Sequence, residues 1–257
     1  MKRISCLVSK GLNHCCYLIF KARLFLMLIA LAVSFTASCT NQPQKVSDAE
    51  LPKIPQKQTS PVGSPTENDP LTNPKASPES IQKALEELRQ AKDYSFKNLD
   101  GSPIPEGERA AFTGLTYFPV DLNYRIVCQL TPSKSGETLK MPATSGEDRL
   151  YTVVGSFHFE ISGTKCSLLA LKSVQNTSPL ALRTLFVPFK DATSGLETYG
   201  AGRYLELEEN ETGTYVLDFN RAFSPFCAYN SNYSCPIPPQ QNVLTVAIKA
   251  GEKTAKE

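Results

Sequence analysis

The chain has no tryptophan, three methionines and two histidines in 257 residues. His14 lies close to the N-terminus, so any Ser-His-Asp or Cys-His mechanism in the rest of the chain would have to use His158. A phosphate-binding loop, an HExxH pair, a CxxC pair and a GxSxG elbow are all missing. No metal set, no cofactor and no catalytic residue is therefore indicated. Basic clusters are missing as well. Lys and Arg number 27 against 25 Asp and Glu, but five of the basic residues (Lys2, Arg3, Lys10, Lys21, Arg23) and no acidic one fall within 1–38. Without that stretch 22 basic residues face 25 acidic ones, a net charge of −3. A mildly acidic body of this kind carries no electrostatic footprint for nucleic acid.

What is present at the N-terminus is an unbroken apolar run, LFLMLIALAVSF at 24–35, behind Lys21 and Arg23. As a helix it would span roughly 18 Å, short of the ~30 Å hydrocarbon core of a bilayer. A signal-peptide core behind a positive flank fits it better than a permanent span. Thr36, Ala37 and Ser38 then precede Cys39, an order that resembles the bacterial lipobox, although Thr36 stands where leucine is usual. The expectation is a leader at 1–38, lipidation at Cys39, and a protein anchored to a membrane of the cell envelope, its domain facing the periplasm or the exterior. Residues 40–78 hold eight prolines and no aromatic side chain. Such a segment cannot bury enough apolar surface to offset its ordering entropy, so 39–78 reads as a tether.

Ser77-Pro78-Glu79 is a helix start: a capping hydroxyl, a proline suited to the first turn and an acid at the positive end of the dipole. Ile81, Ala84, Leu85 and Leu88 follow on one face. The spacing predicts an amphipathic helix ending near Lys92, with Glu86, Glu87, Arg89 and Lys92 on a solvated face. Beyond it, period-two alternation marks strands at 122–130 and 151–161, where Tyr151, Val153, Phe157, Phe159 and Ile161 share one side and His158 and Glu160 the other. The runs 166–174 and 184–189 are apolar on both faces, with Pro188 marking a bulge or the end of pairing. Further alternation follows at 205–207, 215–219 and 244–248. About seven strands and no strand–helix alternation predict a mainly β domain over 79–257, an antiparallel sandwich or barrel with one N-terminal helix.

Polar and conformationally special residues concentrate in 191–204 and 218–242. The first stretch holds Asp191, Thr193, Glu197, Tyr199 and Arg203 among three glycines; the second holds Asp218, Asn220, Arg221 and Tyr229. Loops after strands are where sites are usually displayed. Cys227 and Cys235 have the spacing of a small stapled loop rather than a zinc knuckle, and an oxidising compartment would favour their pairing. Cys128 and Cys166 fall within strands, as buried small apolar residues or a second pair.

The runs GLTYFPVDLNYR at 114–125, VPFKDATSGLETYGAGRYL at 187–205, VLDFNRAF at 216–223 and CPIPPQQNVLTVAIKAGEK at 235–253 resemble domain of unknown function 1684, over about 94–253. The resemblance implies no activity. It marks Asp191, Thr193, Glu197, Thr198, Tyr199, Arg203, Tyr204, Asp218, Asn220, Arg221, Cys227, Tyr229, Cys235, Asn242 and Glu252 as its signature. Relatives commonly carry Tyr-Asn-Pro-Tyr where this chain has Phe223-Ser-Pro-Phe226, which makes those phenols dispensable to any chemistry here.

Three readings follow. In the first, the domain binds a small polar or anionic ligand, or an envelope partner, with Arg203 as the charged anchor and Asp191, Glu197, Asp218 and Asn220 orienting it. The second is a hydrolase using two of Asp191, Glu197, Asp218 and Glu252 as acid and base, or as ligands of a hard cation. The third is structural: the same polar residues tie turns together through buried hydrogen bonds.

Overall fold

The computed structural model describes residues 69–254. The leader, Cys39 and the tether up to residue 68 lie outside the described residues. The tether's last residues differ from expectation. Asp69 accepts the amide of Leu71 in a turn, and the Arg125 guanidinium donates to the carbonyls of Pro70, Leu71 and Asn73 at 2.8–3.1 Å. The ordered unit thus begins before the helix, because a buried arginine needs acceptors and the turn supplies them.

Helix α1 (Pro78–Asn98) starts as its caps dictate, with Ser77 Oγ accepting the amide of Ser80 at 3.2 Å. It runs past Lys92 to bury Phe96 along with Ile81 and Leu85. The inner stripe is therefore 81, 85, 89, 92 and 96, with Leu88 exposed at its edge. This corrects the expected solvated face, because Arg89 lies over Tyr117 and Lys92 over Phe223 and against Glu252, on the side turned to the domain.

Seven strands follow: β1 (Arg125–Pro132), β2 (Thr138–Pro142), β3 (Asp148–Ile161), β4 (Thr164–Ser173), β5 (Thr184–Phe189), β6 (Arg203–Glu208) and β7 (Thr214–Asp218). They pair antiparallel in the order β6-β5-β4-β3-β1-β7, with β2 against β3. The ends of this path, β6 and β7, approach each other, so the sheet is nearly closed into a barrel. Its interior holds Phe157, Leu168, Leu185, Val187, Phe189, Leu205, Leu217 and Phe219, all essentially solvent-free.

A bulge in β3 between Val153 and Gly155 breaks the expected alternation. Phe157, Phe159 and Ile161 face the barrel interior, whereas Tyr151 and Val153 face outward and pack with Met141, Leu171 and Phe186. One extra residue reverses the side on which every earlier side chain falls. Gly155 is required at that point, since a Cβ there would lie 2.4 Å from the carbonyl oxygen of Thr131. The outer face so created carries the aromatic surface described below.

Two further expectations are corrected. Residues 244–248 form no strand; Leu244 and Ile248 are buried, but their backbone is held by Lys190, Asp191 and Arg203 rather than by a ladder. Pro188 does not end β5, which stays in register with β6 through Phe189, yet it does end pairing with β4. Leu171 pairs with Phe186, so Leu169 should face Pro188, which has no N–H to give. The Asn242 side chain fills the gap. It accepts the amide of Leu169 at 2.7 Å and donates to the carbonyls of Leu169 and Pro188 at 3.1 and 2.7 Å. An Asn242→Ala variant would strand three buried backbone groups at roughly 1–3 kcal/mol each before relaxation. Urea unfolding should show a loss of at least about 2 kcal/mol; a loss under 0.5 would mean that the strands close up without the amide.

Candidate functional site

The signature residues do not converge on an open pocket. Arg203, at the start of β6, is wholly buried. Its Nη2 donates to Asp191 Oδ2 and to the Ile248 carbonyl, both at 2.9 Å, and its Nη1 to the carbonyls of Ala250 and Glu252. Asp191 Oδ1 accepts the amide and hydroxyl of Thr193 at 2.7 and 2.6 Å and the amide of Ile248 at 3.2 Å. Burial pushes the Arg203 guanidinium down, and Asp191 opposes that shift. Both carboxylate oxygens and both terminal nitrogens are occupied; Arg203 Nε alone of this set is buried without a partner, and Arg203 lines neither of the cavities described below. The expected role of Arg203, Asp191 and Thr193 as anchor and orienting groups is corrected to a structural one.

Asp218 and Asn220 are likewise committed. Asp218 pairs with Arg125 at 2.8 Å and accepts from the backbone and side chain of Asn220, whose amide in turn brackets Asp121. Glu197 is partly exposed on its loop, 3.7 Å from Lys249. Tyr199 donates to the carbonyl of Cys227, with burial first and the neighbouring thiols second pushing its phenol up to about 12. The expected disulfide is not formed. Cys227 and Cys235 are free, the Cys235 sulfur accepts the Cys227 amide at 3.4 Å, and burial lifts its thiol to about 11. A thiol so shifted is a weak nucleophile at neutral pH. Cys128 and Cys166 are also free, and His158 sits exposed beside Ser156 at 2.9 Å. The carboxylates of the hydrolase reading do not meet either: Asp191, Asp218 and Glu252 are each paired with a different cation. Among the described residues no group of three His, Cys, Asp or Glu could hold a metal ion.

A different constellation is open. Between α1 and the 219–223 turn lies a cavity of about 190 Å³, lined by Arg89, Lys92, Tyr117, Glu206, Arg221 and Glu252 above a floor of Leu85, Ala222 and Phe223. Backbone pairing sets two of these walls. Phe118 donates to the carbonyl of Gly251, and Lys253 to that of Thr116, which puts Tyr117 opposite Glu252. Gly251 allows the approach, since its φ is +78° and a Cβ would lie 2.5 Å from the Ala222 carbonyl. Glu252, 1 % exposed, accepts the Ser224 amide and the Tyr229 hydroxyl, each at 2.7 Å, and pairs with Lys92. Burial and the Glu252 charge both hold the Tyr229 phenol well above its ordinary range.

Part of the cavity's polar lining is not satisfied. Arg89 stacks on the Tyr117 ring at 4.5 Å, but its Nε and Nη2, and the Tyr117 hydroxyl, are shielded from solvent and have no hydrogen-bond partner. Arg221 has no ion pair among the described residues, and burial pushes its guanidinium down, as it does that of Arg89. Three cations thus face two carboxylates, one of which (Glu252) is spent on Lys92, while the other (Glu206) is exposed at the rim. Of the expected ligand residues the structure brings Arg221 and Asn220 to this cavity, with Tyr229 behind it. Sequence reasoning passed over Arg89, Lys92 and Tyr117. The signal for the first two was Phe96, which extends the apolar stripe and carries both cations onto the inner face.

These roles separate in a stability measurement. Arg203→Ala leaves Asp191 buried without its counter-charge and should cost about 3–5 kcal/mol, whereas Arg221→Gln, with no pair to break, should cost under about 1. Comparable losses in urea unfolding would place both residues in the frame.

The sequence matches, over residues 110–253, the family described as "Protein of unknown function (DUF1684)". A solved relative is similar: an uncharacterized protein of Haloarcula marismortui, determined by NMR in solution, is 39% identical with a TM-score of 0.54, over 68% of this chain and 95% of that one. No curated protein matches the sequence. The match spans more than half of the chain, and the alignment with the solved relative covers nearly the whole of that protein, so this chain belongs to the DUF1684 family.

Proposed function

We propose that the domain binds a small anion, a phosphate or carboxylate group, in the cavity between α1 and the 219–223 turn. The observation that carries this reading is the pair of shielded donors on Arg89 and the Tyr117 hydroxyl beside them, all without an acceptor. A buried donor left unmade costs about 1–3 kcal/mol, and more when it is charged, so native structures rarely retain several side by side. An oxyanion supplies the missing acceptors. The planar forks of Arg89 and Arg221 suit two oxygens of one head group, and the excess of cations over carboxylates compensates its charge.

Binding is tested by titrating inorganic phosphate into the full chain held in non-ionic detergent and reading heat and thermal midpoint. Phosphate should bind and raise the midpoint, the effect should weaken with added chloride, and Arg221→Gln should weaken it at least about tenfold. Equal binding by that variant, or none by the unaltered chain, would overturn the reading.

The address of the domain is proposed on sequence grounds. The short apolar core, its basic flank and the small residues before Cys39 support export and lipidation, with the segment after Cys39 as a spacer from the membrane of the cell envelope. Cells supplied with labelled palmitate should incorporate it into this chain, and a Cys39→Ser variant should not. Equal labelling of the two would remove the anchor.

A further inference from the structure

The anion cavity is small for a complete ligand. Ligand sites usually fall between roughly 300 and 1,000 Å³, and about 190 Å³ holds little beyond a head group. It does not stand alone. A second, more open pocket of about 430 Å³ lies on the outer face of β3–β6, and Phe223 and Glu206 line both. This groove exists because the β3 bulge turns Tyr151 outward, where it stacks with Phe186 at 5.5 Å. Tyr204 meets Phe186 edge-on at 4.7 Å and Phe223 at 5.9 Å, and Phe226 meets Tyr233 at 5.3 Å. Hydroxyls and amides of Ser173, Asn176 and Thr184 stand among these rings. Tyr151 and Tyr204 are buried in this cluster, whereas Phe226 is 40% exposed and presents the cluster's edge to solvent on a face that also offers hydrogen-bond partners.

From this continuity we infer that the ligand is a ring-bearing organic anion, its phosphate or carboxylate head against Arg89, Arg221 and Tyr117 and its ring in the aromatic groove beyond Phe223. The inference rests on the anion reading above and adds the ligand's body to it. Two properties of the groove select a ring over an alkyl chain. Edge and face contacts among neighbouring aromatic side chains form flat slots suited to another ring. Ser173 Oγ accepts the Asn176 amide, Asn176 Oδ1 accepts the Ser178 amide and the Thr184 hydroxyl donates to the Leu180 carbonyl, and the hydrogen-bonding capacity these groups keep favours a polar-substituted ring over a plain hydrocarbon. Glu206 at the junction adds a constraint: a second negative charge on the body would be repelled there, whereas a hydroxyl or amine would be accepted.

The test compares three probes that share one head: inorganic phosphate, phenyl phosphate and glucose 1-phosphate, each titrated into the full chain in non-ionic detergent. At least one ring-bearing ester should bind about tenfold tighter than phosphate, and which one does so tells a flat aromatic ring from a hydroxylated one. Phe226→Ala and Tyr233→Ala, on the loop that walls the groove, should abolish that advantage while leaving the affinity for inorganic phosphate within about twofold, which also shows that the variants are folded. Equal affinity for all three probes, or an advantage that survives both substitutions, would overturn the ring-bearing ligand and leave the anion site intact. Phosphate binding that is absent, or indifferent to Arg221→Gln, would instead remove the site on which the inference stands.

Discussion

The buried pair of Arg203 and Asp191 is the constraint on which the rest of this structure depends. Beyond Val246, whose carbonyl accepts the Ala192 amide, the chain runs along the barrel outside any strand, and the carbonyls of Ile248, Ala250 and Glu252 would be buried without a donor. Arg203 supplies those donors, reaching the carbonyls of Ile248, Ala250 and Glu252 from one planar fork. Asp191 neutralises the guanidinium and caps the amide of Ile248. A lysine in the same place would carry the charge but could not span three carbonyls and a carboxylate at once. The pair therefore does the work of a missing strand. It also fixes residue 252, and the cavity follows from that position, because Glu252 gathers Lys92, Tyr229 and the Ser224 amide around one carboxylate.

Asn242 and Arg125 apply the same physics elsewhere. Asn242 replaces the ladder bonds that Pro188 removes between β4 and β5, and Arg125 satisfies the turn at 70–73 while balancing Asp218. In each case one polar side chain completes backbone that regular secondary structure leaves open. Several residues with the look of a ligand site, namely Asp191, Arg203, Asp218 and Asn220, thus serve the main chain. Once both ends of a buried ion pair are saturated, little remains to offer a ligand.

How much of this was legible in sequence depends on the range of the interaction. The helix start at Ser77-Pro78 and the apolar runs at 166–174 and 184–189 are local features, and they form where composition puts them. The sides of β3 were not readable beyond Gly155, because a single bulged residue inverts the alternation and only the partner strand requires it. Residues 244–248 alternate like a strand yet are held by isolated backbone bonds to Lys190 and Ala192 and by the side chains of Asp191 and Arg203, a distinction invisible to a period-two count. The site was missed for a related reason. Its two arginines are 132 positions apart in the sequence, and what makes them a pair is the docking of α1 across the 219–223 turn. The loops dense in polar residues drew attention instead, although their polarity is spent internally.

One wall of the cavity comes from outside the part of the chain that matches the family. Arg89 and Lys92 belong to α1, whereas Tyr117, Arg221 and Glu252 lie within 110–253. Docking α1 buries Ile81, Leu85 and Phe96, a gain of roughly 1.5–3 kcal/mol per large apolar side chain. It also brings Arg89 into the cavity that Arg221 lines, where Glu206 at the rim is the one lining carboxylate not already paired, which offsets part of that gain. An anion between the two removes the offset. In the proposed reading, ligand binding and helix docking are therefore linked: whatever occupies the cavity stabilises the docked helix by RT ln(1 + [L]/Kd), about 2.7 kcal/mol at a hundredfold excess over Kd.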